Sequence, residues 1–444
     1  MRYQIVLLGL STLLASCQNS FPSSEAAKTR QETLAAAEVL PQSNTYESIQ
    51  TEQLDPQPIQ ISLGDLPEPF ATQSASQSPD VVDRPENATL SVPAGFTVNV
   101  FAEGLQKPRW LALTPDGDVL VTETRENRIR RLSDTNGDGV ADKQETFATA
   151  DNGLNIPFGM AFAAGSFFLG NTDEVLRFPF AEGQTALEGK GDRIATLPGG
   201  GYNQHWTRNV VVSPEGDQLY ISIGSQSNVS EEPLPRASVQ RMNLDGSEQT
   251  TFASGLRNPV GLDFHPQTGD LYATVNERDG IGDDLVPDYF TRIQLGEFFG
   301  WPYAYLSSQN LDPRQTTNKG ISNNPKLASQ TKTPDVLFQA HSAALGLQFY
   351  DGDTFPQRYR NGAFVAFRGS WNRSAGTGYK IVFVPFDDKG RPTGSYEDFL
   401  TGFLTDPSGP TTWGRPVGLL VMPDGSLLIT EEANGTIYRV QYEG

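Results

Sequence analysis

The chain has 444 residues and a formal net charge of −20. That length allows one large domain or two to three ordinary ones, and that charge argues against nucleic-acid binding, which needs clustered Lys and Arg on phosphates. The single cysteine, Cys17, excludes an internal disulfide, a CxxCH haem attachment site and a cysteine zinc cluster.

In chain order, the first element is a leader. Arg2 precedes an apolar run from Ile5 to Ala15 that ends in "LLASC". The run falls short of the roughly 20 residues that span a bilayer and reads as a signal peptide. Leu14-Ala15-Ser16-Cys17 resembles a bacterial lipobox, so residues 1–17 are expected to be a lipoprotein signal with Cys17 lipidated. An ordinary signal peptide that contains a cysteine is the alternative. The expected location is extracytoplasmic, with the membrane touched only through a lipid anchor. Residues 18–85 are rich in Ser, Gln, Ala, Pro, Glu and Thr. They carry too little apolar surface to offset the entropy of ordering them, which predicts a flexible stalk.

Residues 86–444 repeat one phrase six times, as in "PRWLALTPDGDVLVTETRENRIRRL", "NPVGLDFHPQTGDLYATVNERD" and "RPVGLLVMPDGSLLITEEANGTIYRVQY". Each copy has an apolar strand, a Gly-containing turn, a second apolar strand, a polar loop and usually a third strand. A fourth often follows, as in "ETFATADNGL". The first spacings are about 50 residues, within the range of propeller blades. The fold class is therefore all-β: a six-bladed β-propeller of four-stranded antiparallel blades. The N-terminal "FTVNVFAEGL" resembles the outer strands, so it is expected to complete the C-terminal blade and close the ring. An insertion from about Gly296 to Gln339 interrupts the pattern.

In a propeller, the segments leading into the innermost strands and the loops between strands two and three share one face. The lead-in segments hold Lys107, Arg109, Asn155, Gln204, His205, Arg208, Arg257, Asn258, His341 and Arg415. The second loops add Arg125, Asn171, Asp173, Gln226, Glu277, Arg278, Asp279, Arg368, Trp371 and Arg373. Such a cationic set points to an anionic ligand held by charge-assisted hydrogen bonds, or to cations that pair with nearby acids. Positive neighbours favour neutral His205, the form a general base needs. His265 falls on the opposite face and is assigned no function.

"DTNGDGVADKQE" matches the calcium-loop pattern in full. Asp134, Asn136, Asp138, Val140, Asp142 and Glu145 are the expected ligands of a structural ion. An Asp/Gly-rich turn without metal is the alternative.

"GLRNPVGLDF", "NERDGIGDDLVPDY", "GEFFGWPYAY" and "FRGSWNR" resemble the pyrroloquinoline-quinone (PQQ)-dependent sugar dehydrogenases, the glucose/sorbosone dehydrogenase family, and above all its sorbosone-dehydrogenase branch. The likeness covers roughly residues 90 to 444. It implies six blades, PQQ and Ca2+ on the axis, His205 as general base and Arg257 beside the reactive carbonyl. It further implies cofactor contacts from Gln204, Asn258, Arg368, Arg415 and, in the second blade, Asn155 or its neighbour Leu154, with cofactor calcium on the main-chain carbonyls of Asp279 and Gly280. Three positions depart from the soluble glucose enzymes: Gln204 replaces an acid, Arg368 a lysine, and Arg415 stands where they have two arginines. The implied activity is oxidation of an aldose or a sugar aldehyde, with electrons passed to a separate acceptor. A calcium-dependent propeller lactonase and a non-catalytic binding module are the alternatives.

Overall fold

Runs of Val, Ile, Leu and Phe separated by tight turns build antiparallel meanders, because each run buries apolar side chains on both sheet faces. The structure, a computed structural model, describes residues 48–199 and 205–444. The leader with Cys17, the segment 18–47 and Gln204 lie outside the described residues. The regular structure of the described residues is nearly all strand, with a single short α-helix at Pro325–Ala328.

Six sheets of the same antiparallel order follow one another. The first runs Leu111–Leu113, Val119–Glu123, Arg128–Ser133 and Lys143–Ala148. The second runs Met160–Ala163, Ser166–Gly170, Glu174–Pro179 and Asp192–Thr196. The third, Val210–Val212, Gln218–Ile223, Ser238–Asn243 and Thr250–Ser254, gains the short parallel strand Glu297–Phe298 at its edge. The fourth runs Asn258–Phe264, Leu271–Asn276, Tyr289–Ile293 and, beyond the insertion, Val336–Leu337. The fifth runs Ala344–Phe349, Ala363–Phe367, Lys380–Val384 and Glu397–Leu400. The sixth takes Pro416–Val421, Leu427–Glu431 and Thr436–Tyr442, and its fourth strand is Phe96–Ala102 from the other end of the domain.

The packing explains the recurring "PVG" and "ALG" phrases. A Cβ on Gly346 would strike the Val417 carbonyl of the sixth sheet, and one on Gly418 the Arg109 carbonyl next to the first. Glycine at these points lets neighbouring inner backbones approach. One buried cluster joins Trp110, Phe158, Val260, Leu345 and Val417, with Trp206 packed against it. Each of these residues lies at the start of a different sheet, so the cluster floors the space where the lead-in segments meet.

Residues 48–85 correct the expectation of a free stalk. Gln50–Leu54 pairs in parallel with Thr89–Pro93, and Asp80–Val81 with Thr411–Thr412. Ile59 exchanges two main-chain hydrogen bonds with Tyr396, at 2.7 and 3.0 Å. Edge pairing uses backbone groups and needs no apolar side chain, so a polar composition does not prevent it.

Candidate active site

The lead-in segments and the second-to-third-strand loops enclose a cavity of about 1160 Å³. Its wall carries six cationic side chains, Lys107, Arg109, Arg125, Arg257, Arg368 and Arg415, against four carboxylates, Glu277, Asp279, Asp288 and Glu432. His205, His341, Asn258 and Trp371 also line it. A strongly acidic protein thus gathers a local excess of positive charge, and low-dielectric walls focus its field.

His205 sits in a left-handed backbone conformation, φ 53°. Its Nδ1 lies 2.8 Å from the carbonyl oxygen of Ser225 and 3.0 Å from Ser225 Oγ. A carbonyl only accepts, so Nδ1 carries the proton and neutral Nε2 keeps its lone pair. The Ser225 hydroxyl donates onward to the Ser227 carbonyl at 2.7 Å, which turns its oxygen toward the imidazole. Burial, then the Arg257 guanidinium, hold the His205 pKa well below 6.5. The ring is a neutral proton acceptor at neutral pH.

Arg257 is held rigidly. It donates to the Glu277 carbonyl at 2.7 Å, to the Asn228 carbonyl at 3.1 Å and to Asn228 Oδ1 at 3.0 Å, and faces Asp279 at 3.3 Å. Burial alone would raise the Asp279 carboxyl, but Arg257, His341 and His205 outweigh it and hold it below the usual range. Asn372 donates to its other oxygen at 2.6 Å, and His341 Nδ1 stands 3.6 Å away. Asp288 accepts from the amides of Glu277 and Ala343 at 2.9 and 2.8 Å, tying two loops of the wall together.

On the opposite wall Arg109 and Arg368 both donate to Glu432. Arg415 adds its charge nearby and donates to the Gly369 carbonyl at 3.0 Å. Burial would raise Glu432, but Arg109, Arg368 and Arg415 together pull it down to about 2. Three guanidiniums share one carboxylate, and Arg109 Nε has no acceptor among the described residues. The guanidiniums of Arg109 and Arg125 lie over the Trp206 ring, 4.9 and 5.1 Å from its centre. Such contacts are worth about 0.5–2 kcal/mol each and stiffen the wall.

The structure brings His205, Arg257, Asn258, Asp279, Arg368 and Arg415 to one cavity. It does not bring Asn155, which is exposed and donates to Asp173 at 2.9 Å. Nor does Gly280 line the wall, and the Asp279 carbonyl expected to face a cation instead accepts from Asn228 at 2.9 Å and Arg314 at 2.7 Å. Arg208 is buried and donates to the carbonyls of His205, Thr207 and Pro198, so it shapes the His205 loop from behind. Arg278 is spent on Glu277 and Asp312. Two residues absent from the sequence reading, Asn228 and Glu432, prove central. Glu432 follows the second strand of its sheet, as Glu277 does in the fourth, so the repeat register offered that signal.

The segment Asp134–Glu145 corrects the structural calcium loop. Asp134 accepts with both oxygens from the amides of Gly137, Asp138 and Gly139. Asp142 accepts from Thr135, and Glu145 lies in a strand and pairs with Arg131 at 2.9 Å. Its own turn and the neighbouring strand use several of the oxygens expected to hold the ion, while Asp142 Oδ1 is buried without a partner. Among the described residues no group of three or more His, Cys, Asp and Glu is arranged to hold a metal.

Residues 90–288 and 292–443 match the TrAA12-like family. A protein of Borreliella burgdorferi, itself uncharacterised, is 32% identical over 368 residues, covering 80% of this chain and 92% of its own. A pyrroloquinoline quinone-dependent pyranose dehydrogenase of Coprinopsis cinerea is 25% identical over 79% of this chain; the match spans 54% of that enzyme. Among solved structures, the calcium structure of the Trichoderma reesei family AA12 enzyme aligns with a TM-score of 0.67 at 20% identity, over 82% of this chain and 98% of that one. The holo PQQ domain of the Coprinopsis cinerea pyranose dehydrogenase aligns with a TM-score of 0.66 at 20% identity, over 82% and 100%. These relatives and neighbours include PQQ-dependent sugar dehydrogenases, and their fold is shared by this chain.

Proposed function

The chain belongs to the TrAA12-like family, and from that premise we propose that it is a PQQ-dependent dehydrogenase that oxidises an aldose, or a sugar aldehyde such as sorbosone. The observation that carries this reading is one cavity holding both a neutral imidazole with a free Nε2 and a cluster of guanidiniums around a donor without an acceptor. Three convergent guanidiniums suit a tricarboxylate, and Asn258 Oδ1, buried without a partner, offers a further polar contact. When bound, the quinone would supply the two-electron acceptor for hydride.

The chain's own residues do the rest. His205 takes the proton of the sugar hydroxyl at Nε2 while Ser225 holds the ring by Nδ1. Arg257, fixed by Asn228 and Glu277, meets negative charge that develops beside the reacting carbon without reorganising. Trp206, Val260 and Leu345 give the cavity an apolar floor. A lactonase would need a metal on axial acids and amides such as Glu277, Asn171 and Asp173, but Asn171 and Asp173 are turned to Gly153 and Asn155, and Glu277 pairs with Arg278.

We read the six sheets as the blades of one closed ring. The innermost strands touch in cyclic order, and the last touches the first. Thr430 Oγ1 bonds the Arg109 carbonyl at 2.7 Å across the junction. The tether through Cys17 and a separate electron acceptor remain part of the reading; loss of membrane association in Cys17→Ala tests the first. For the activity, purified protein is loaded with PQQ and dye reduction is followed with a panel of sugars. Reduction that disappears in His205→Ala, with quinone binding retained, supports the reading. Absence of reduction with every sugar, despite bound quinone, sinks it.

A further inference from the structure

The insertion between the third and fourth strands of the fourth sheet delivers a guanidinium to the loop where the cofactor's calcium was expected. Arg314 donates to the Asp279 carbonyl at 2.7 Å, and Asn228 Nδ2 donates to the same oxygen at 2.9 Å. A carbonyl oxygen has two lone pairs, and both are thereby used. Calcium needs six to eight oxygens at roughly 2.3–2.6 Å. An ion on this oxygen would have to displace Arg314, or displace Asn228 and sit against the Arg314 charge.

Arg314 is built into place. Its backbone N and Nε both donate to Asp312 Oδ1 at 2.9 Å, and a terminal nitrogen donates to Oδ2 at 2.8 Å. Asp312 is fully buried and also faces Arg278 at 3.4 Å. A Cβ on Gly280 would come within 3.3 Å of Arg314, so the loop lies close against the guanidinium. Asn228 clamps the same peptide from the cavity side, accepting from the Asp279 amide at 2.9 Å.

We propose that Arg314 replaces the divalent cation at the Asp279 loop, so that this chain binds its tricarboxylate quinone without calcium. The inference rests on the PQQ reading above. The test needs no turnover. Protein stripped with EDTA is titrated with PQQ, followed by tryptophan fluorescence, and the titration is repeated with calcium added.

Equal affinity in the two titrations is the expected result. Arg314→Ala frees one lone pair of the Asp279 carbonyl and removes the positive charge beside it, so its affinity for PQQ should rise about tenfold when calcium is added. Arg314→Lys should remain insensitive to calcium. Wild-type protein that binds PQQ only after calcium is restored overturns the inference and leaves the reading standing. Failure to bind with or without calcium overturns both. An Arg314→Ala protein as insensitive to calcium as wild type also refutes the replacement. Should that variant not fold, the two wild-type titrations decide alone.

Discussion

Replacing Glu432 with Gln removes the one carboxylate at the centre of three guanidiniums. Its side chain is 8% exposed and that of Arg109 9%, so solvent screens the pair little. A carboxyl brought from 4.5 to about 2 by Arg109, Arg368 and Arg415 against the cost of burial contributes about 3 kcal/mol at neutral pH by linkage. The sign follows from the folded pKa lying below the unfolded one. The contribution is complete above pH 4.5 and is lost as pH falls from there toward 2. Glu432→Gln should therefore lower the melting temperature of the quinone-free protein by about 4 °C for a domain of this size, and the gap should close as the pH drops through that window. The same substitution leaves Arg109, Arg368 and Arg415 to a ligand alone, so PQQ should raise the melting temperature more in the variant than in wild type. Thermal unfolding across pH, with and without PQQ, reads both effects. A gap that ignores pH, or a smaller PQQ shift in the variant, would falsify the view that Glu432 stands in for a ligand carboxylate.

Activity of the loaded enzyme should stay flat as pH falls through 6.5, because burial and Arg257 keep His205 neutral there; only a more acidic limb should appear in kcat/KM. Unfolded His205 takes up a proton below about 6.5 while the folded ring does not, so the stability of wild type relative to His205→Ala should decline as pH drops past that value. Ser225→Ala removes one acceptor from Nδ1 and leaves the carbonyl; turnover should fall about fivefold, and the acid limb should move to lower pH, a shift that a purely structural defect would not produce. Gly224→Ala would push a Cβ into His205 Cβ and Asn258 Oδ1. It should abolish most turnover and weaken PQQ binding through the displaced Asn258, while circular dichroism changes little.

The repeats made half of the site legible. Because each copy begins with the same phrase, the phase of the strands places His205, Arg257 and Arg415 at one end, and the structure puts them around one cavity. What escaped has physical causes. Asn228 lies in a polar loop with no periodicity, and only the folded loop shows it pairing with both backbone groups of Asp279. Arg314 lies in an insertion outside the repeat. Asp134–Glu145 has the composition of a calcium loop because Asp and Asn also close tight turns with their own amides. Residues 48–85 looked unable to order because overall apolar content was the measure, whereas they attach through main-chain bonds and a few placed apolar residues, Ile49 in the core and Ile59, Ile61, Leu63, Leu66 and Val82 packed against it.

Several lead-in segments share one further trait. Lys107, Ile156, His205, His341 and Ala343, from four different sheets, all have left-handed backbones, with φ from 50° to 66°. A side chain makes that conformation unfavourable by about 1–2 kcal/mol for each residue, so a free loop would relax out of it. Here the surroundings prevent relaxation: Arg208 holds the His205 carbonyl at 2.8 Å, and Asp288 fixes the Ala343 amide at 2.8 Å. A left-handed residue just before the inner strand breaks the alternation that would bury its side chain in the sheet. At Lys107, His205 and His341 the side chain enters the cavity instead. At these positions the strain serves the wall, and the buried arginine and aspartate that maintain it are as much a condition of the chemistry as the imidazole itself.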